Sequence, residues 1–110
     1  MPVIAVPEHS ASYYPQFMRL CGSPTATLMF SQLVDAADYG LTDSDGWMVR
    51  THHDWARDLG FSHAEARTAT KKLIARGLVE TVIRKHDGTP KTHYRLTEYA
   101  RQELSRISAQ

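Results

Sequence analysis

The stretch THHDWARDLGFSHAEARTATKKLIARGLVE, residues 51–80, carries two complete helix signatures with a three-residue gap between them. Nothing else in the chain restricts its fold as tightly. Thr51 with Asp54, and Ser62 with Glu65, both have the spacing of a capping box. In that arrangement the hydroxyl accepts from the backbone N–H three residues on, and the carboxylate there accepts from the cap's own N–H. Asp54 is a shorter stand-in for the usual Glu. Gly60 and Gly77 follow the two periodic runs, where a residue in the left-handed conformation closes a helix most easily. The spacing predicts one helix from Thr51 to Gly60 and a second from Ser62 to Gly77, joined by Gly60, Phe61 and Ser62. Trp55, Ala56 and Leu59 form the inner side of the first. On the second, Ala66, Ala69, Leu73 and Ile74 recur at i, i+3, i+4 spacing and point inward, with Thr70 beside them. Phe61 plugs the corner.

The flanks extend the pattern. Ser23 caps a helix with Pro24 at its first position and Ala26, Leu28, Met29, Leu33, Ala36 and Ala37 at helical intervals, running to about Tyr39 before Gly40. LTDSDG is a loop, and Trp47 to Arg50 is too short for a helix and pairs as a small strand. LVETVIRK is rich in β-branched residues and alternates, HDGTP holds the Asp-Gly of a tight hairpin, and KTHYRL returns. Thr97 then caps EYARQELSRIS, with Tyr99 or Ala100, Leu104 and Ile107 on its apolar side. Residues 1–21 read as an N-terminal arm with a short strand at Val3–Val6 and a short helix from Pro15 to Leu20. Residues 22–110 read as a single folded domain, which fits a chain of 110 residues. The fold class expected is α+β, mostly α. Its centre is a helix-turn-helix followed by a two-stranded β-hairpin, the wing, with N- and C-terminal helices on either side.

The run GWMVRTHHDWARDLGFSHAEARTATKKLIARGLVET, with GTPKTHYRL after it and GSPTATLMFSQLVDAA before it, resembles the winged-helix domains near the start of bacteriophage and plasmid replication proteins. These are the replisome organisers and initiators related to helicase loaders. The resemblance covers roughly residues 22 to 100. It implies double-stranded DNA binding at an origin or operator, in replication initiation or transcriptional regulation, within a bacterial or phage-infected cytoplasm at the nucleoid. The Leu-Gly-Phe-Ser and Gly-Leu-Val-Glu spacing is shared with many bacterial transcription regulators. The further domain that such replication proteins carry has no counterpart in these residues, so helicase loading does not carry over.

Charge is unevenly placed although the chain's net value is only +1. From Gly22 to Asp58 six aspartates stand against Arg50 and Arg57, a net −4. From His63 to Arg95 eight bases stand against Glu65, Glu80 and Asp87, a net +5. The positions outside the apolar stripe of the second helix are His63, Ala64, Arg67, Thr68, Lys71, Lys72 and Ala75. His63, Arg67 and Thr68 lie in the first turns, which enter a major groove deepest, and are the candidates for base edges. Arg67 suits guanine, and Thr68 suits a thymine methyl or a phosphate. Lys71 and Lys72 meet phosphates. Arg84, Lys85 and Lys91 on the hairpin hold the backbone beside the groove, and Thr51 and His52 offer a phosphate the start of a helix. Glu65 reads as a capping residue, with base readout as the alternative.

Other classes find little support. His52 and His53 are adjacent and diverge by about 100° on a helix, so both cannot face one ion. His86 and His93 flank the hairpin tip with no ligand beyond Asp87, and no metal site is expected. Cys21 stands alone, which excludes an internal disulfide or a thiolate-based metal site and fits a reducing, cytoplasmic setting. With no phosphate-binding glycine loop, no nucleophile elbow and no His partner for Cys21, neither catalysis nor a cofactor is expected. Trp47 and Trp55 read as core fillers rather than a ligand pocket. No apolar run is long enough to span a bilayer. A homodimer is expected, because one module covers little DNA. Met29, Phe30 and Leu33, or Tyr99, Leu104 and Ile107, are the available surfaces. The alternative is a protein-interaction module whose acidic surface from Asp35 to Asp58 binds a replication or transcription partner without touching DNA.

Overall fold

Both capping boxes form as spaced. In the computed structural model, which describes residues 15–108, Asp54 N–H donates to Thr51 Oγ1 at 3.2 Å and Thr51 N–H to the Asp54 carboxylate at 2.8 Å. Glu65 N–H donates to Ser62 Oγ at 3.1 Å and Ser62 N–H to the Glu65 carboxylate at 2.8 Å. Each box satisfies two helix-end donors that have no intrahelical acceptor. The order is α1 (residues 15–21), α2 (Pro24–Asp38), β1 (Met48–Val49), α3 (His52–Leu59), α4 (His63–Ala75), β2 (Val79–His86), β3 (Thr89–Leu96) and α5 (Glu98–Ser108). Among the described residues this is an α+β arrangement, mostly helical, with five helices and one antiparallel sheet of order β1-β3-β2. The strand expected at Val3–Val6 lies outside the described residues.

Gly60 sits at φ +71°, a left-handed C-cap that turns the chain from α3 into α4 within three residues. Phe61 is buried in the corner, as expected. The hairpin is tighter than the sequence suggests. Asp87 at φ +56° and Gly88 at φ +82° make a two-residue turn, so His86, Thr89 and Pro90 join the ladder. Both central residues at positive φ match the right-handed twist of the flanking strands. β1 is shorter than the stretch from Trp47 to Arg50, pairing only Met48 with Tyr94 and Val49 with His93.

The core forms where α2 lies on α4. Ala66, Ala69 and Leu73 face Met29, Phe30 and Leu33, and all six are buried. The alanines allow close approach of the two backbones. Met29, Phe30 and Leu33 are therefore interior side chains and not a surface for a second copy. Phe17 and Cys21 of α1 join the same core, with Phe17 edge-on to Phe30 at 5.4 Å. The short helix of the N-terminal arm thus helps close the domain, and Arg76 ties down its end by donating to the Arg19 and Leu20 carbonyls at 3.3 and 3.1 Å.

Three inward assignments are corrected. Ile74 is 43% exposed and Leu28 42%, and Ala56 is exposed. Each lies at the rim of its helix's apolar stripe, one residue on from or one before a side chain that is buried: Leu73, Met29 and Trp55. One residue is about 100° of helix, and the neighbouring element covers only the middle of the stripe.

A chain of hydrogen bonds fixes how α3, α4 and the sheet meet. Trp55 Nε1–H donates to Tyr94 Oη at 3.3 Å, and Tyr94 Oη lies 3.1 Å from Thr70 Oγ1. Thr70 Oγ1 donates to the Ala66 carbonyl at 2.8 Å. An indole only donates and a carbonyl only accepts, so the protons run in one direction, from Trp55 to Tyr94 to Thr70 to Ala66.

Candidate nucleic-acid interface

Burying residues 66, 69 and 73 of α4 turns the opposite side outward. His63, Ala64, Arg67, Thr68, Lys71 and Ala75 are exposed, and Lys72 is half-buried. α5 lies elsewhere and covers none of them. The Ser62–Glu65 box holds the start of this helix, and the Glu65 carboxylate has the capping role expected of it.

The partners of the cations separate this face from the rest of the surface. Arg50 pairs with Asp58 at 3.2 Å, and Arg57 with Asp54 and Asp58 at 3.0 and 2.9 Å. Arg95 pairs with Glu80, Arg101 with Glu98 and Arg106 with Glu103. The Arg57 and Arg106 guanidiniums are stabilised above their ordinary value by hydrogen bonds to Asp58 and Glu103 respectively. Among the described residues Arg67, Lys71, Lys72, Lys85 and Lys91 have no acidic partner. Arg19 on α1, Arg76, which donates to backbone carbonyls, and Arg84, which lies over the Trp47 ring, are the other cations in that condition. An unpaired cation keeps its full field, so the first five add to the positive potential of the surface.

The hairpin divides its three expected contacts between two faces. Residues paired across the ladder share a face, and Tyr94 marks the face toward α3 and α4. Lys85, paired with Pro90, alternates onto that face. Arg84, paired with Lys91, lies on the reverse, with its guanidinium 4.9 Å from the centre of the Trp47 ring while Arg95 covers the same ring at 4.2 Å. Cation–π stacking thus engages Arg84 and makes Trp47 the filler under the sheet. Lys91 is half-buried, at a cleft of about 250 Å³ between β3 and the start of α3 that Arg50, Thr51, His52, Trp55, Pro90 and Thr92 also line. Lys91 lines the edge of that cleft while alternating onto the Arg84 face, so of the three expected hairpin cations Lys85 alone shares the Tyr94 face.

Thr51 has little left to offer a ligand. Its hydroxyl and its N–H are both committed to the cap. The Asp54 carboxylate beside it is held ionised. Burial works to raise its pKa, but hydrogen bonds from Thr51 and Arg57 bring it below the ordinary value of 3.8. A negative charge there opposes a phosphate at the same helix end. His52 is placed differently. Its ring stacks on His63 with centroids 3.5 Å apart and planes 31° from parallel, joining the first residues of α3 and α4. Desolvation, followed by the charges of His63, Arg67 and His53, holds the His52 imidazole below the usual histidine value of 6.5.

His86 and His93 approach to 6.2 Å across the hairpin, and among the described residues no three metal-ligating side chains gather. Burial pushes the Cys21 thiol up to about 12, which leaves it protonated and unreactive at neutral pH. No helix among the described residues is long and apolar enough to cross a membrane. Sequence reasoning missed the roles of Tyr94 and Trp47 in orienting the hairpin, although a Tyr and a Trp flanking candidate strands are residues whose polar tips and broad faces need partners. Comparison of the chain with protein-family models, curated proteins and solved structures finds no match to any of them.

Proposed function

We propose that the chain is a winged helix-turn-helix that binds double-stranded DNA sequence-specifically, at an origin or operator of phage or plasmid type, as a homodimer. In this reading α3 and α4 are the helix-turn-helix, α4 enters the major groove, and the β2–β3 hairpin is the wing. The observation that carries it is the unpaired set of Arg67, Lys71, Lys72, Lys85 and Lys91, on a surface where the other cations, Arg19 and Arg84 apart, have acidic or backbone partners. A duplex supplies the missing anions at regular spacing. Arg67, in the second turn, reaches a base edge, while Lys71 and Lys72 meet phosphates further along. Lys85 and Lys91 hold the strand beside the groove, and Arg84 supports them through Trp47.

Selection from random duplexes followed by gel shift tests the proposal. Arg67→Ala is expected to cost about 1–3 kcal/mol and to relax preference at one base pair. Lys71→Ala should weaken all sequences alike and lower the salt slope by about 0.9. Full binding by the double variant would sink the assignment. The rival reading, in which the acidic surface docks a protein partner, gains no support from the geometry. Asp54 and Asp58 are already neutralised by Arg50 and Arg57, and Asp43 is turned onto the Asp45 and Trp47 amides at 2.8 and 3.0 Å.

A further inference from the structure

The stacked histidines raise a question that the DNA reading leaves open. Two imidazoles with centres 3.5 Å apart and planes tilted by 31° can pack as neutral rings, or as one neutral and one charged. Two imidazoliums in that geometry repel strongly unless an anion lies against both. The surroundings are mostly cationic. From α4, Arg67 faces the pair, and Glu65 on the same helix has its carboxylate bound to Ser62 N–H. From α3, His53 adds a further titratable ring, and the Asp54 carboxylate is bound to Thr51 N–H and Arg57. Across the cleft stand Lys91 of β3 and Arg50, the latter already paired with Asp58. The pair and Arg67 therefore form an exposed cluster of nitrogen donors, while the carboxylates of Asp54 and Glu65 beside it are held by backbone N–H groups.

We propose that His52 and His63, with Arg67, form a proton-linked phosphate site, in which docking a phosphodiester group draws protons onto the two rings and so makes DNA binding tighten as pH falls. The proposal rests on the DNA reading for its ligand and adds regulation of that same surface. The sign follows from linkage. The complex binds more protons than the free protein, so affinity is greatest below the free-state titration, and is lost as pH rises through the titration of the complex. Uptake of one to two protons corresponds to about ten- to a hundredfold in affinity per pH unit within that window. The effect joins two helix starts that are eleven residues apart in sequence, so it depends on the tight corner at Gly60.

Two measurements test it. Duplex affinity is followed from about pH 5 to about pH 8 at fixed salt for the wild type, His52→Gln, His63→Gln and His53→Gln. The wild type and His53→Gln are expected to show the steep dependence, and the other two variants to flatten it. A slope that survives both His52→Gln and His63→Gln, or is absent in the wild type, overturns the proposal. In parallel, the histidine ring signals of the free protein are titrated by NMR with and without inorganic phosphate. Phosphate should raise the titration of His52 and His63 together and leave His53 in place. If no duplex binds at any pH, the DNA reading fails, and the phosphate titration alone decides the site: a joint rise upholds it and unmoved rings overturn it.

Discussion

Tyr94 shows how much orientation a single side chain can impose. Its ring meets Trp55 edge-on at 5.5 Å, and its hydroxyl accepts from the indole while donating toward Thr70. β3 thereby sets the positions of α3 and α4 at once. Tyr94→Phe removes the hydroxyl and leaves the Trp55 N–H buried without an acceptor. The cost of such an orphaned donor is about 1–3 kcal/mol. Urea unfolding is expected to show a loss of that size with the slope on denaturant unchanged, and an unaltered midpoint would mean that packing alone holds the junction. Trp47 does the corresponding work on the reverse face, where the Arg84 and Arg95 guanidiniums cover its ring. The residues nearest the candidate interface are thus of two kinds: those that project freely, and those that aim them.

At the scale of elements, the decisive feature is the brevity of the link between α3 and α4. Gly60 alone reverses the chain there, at φ +71° and with open space where a Cβ would stand. Gly60→Ala meets no steric clash with neighbours, so its cost is the left-handed conformation itself, about 1–2 kcal/mol. A melting experiment should register a drop of several degrees, roughly 4–8 °C for each kcal/mol in a domain of this size. An unchanged melting temperature would show that the corner does not depend on that conformation. The same corner brings His52 against His63, so the element that sets the angle between the helices also assembles the candidate phosphate site. The hairpin adds a second element with two distinct sides. Lys85 shares its side with α4, whereas Arg84 faces away and stiffens the ribbon.

Over the whole molecule, a net charge of +1 conceals a division of labour. Asp54 and Asp58, two of the six aspartates of the α2–α3 region, are paired with Arg50 and Arg57, while among the described residues Arg67, Lys71 and Lys72 on α4 and Lys85 and Lys91 on the hairpin have no acidic partner. A field built this way steers a polyanion to one side and falls away with ionic strength. Four or five phosphate contacts from this face give a slope of log affinity against log salt of about −4. Fluorescence anisotropy on a short duplex between roughly 50 and 200 mM salt reads that slope directly. A flat titration would mean that this face does not carry the binding.

The features legible in the sequence are those governed by short-range backbone chemistry. Both capping boxes, the closures at Gly60 and Gly77 and the Asp87-Gly88 turn depend on groups within a few residues of each other, and spacing along the chain is enough to place them. The exposed row from His63 to Lys71 was legible for the same reason, since it is the complement of the apolar stripe on one helix. What the sequence could not decide needs partners from far along the chain. How much of each stripe is covered depends on the neighbouring element, and so Leu28, Ala56 and Ile74 came out on the surface. Arg84 looked like any other basic hairpin residue until Trp47, almost forty positions away, was found under it. His52 and His63 belonged to separate helices until the corner stacked them. Local hydrogen-bond geometry can be read in one dimension. Coverage of a surface and the meeting of two charges are fixed only when distant segments close on one another.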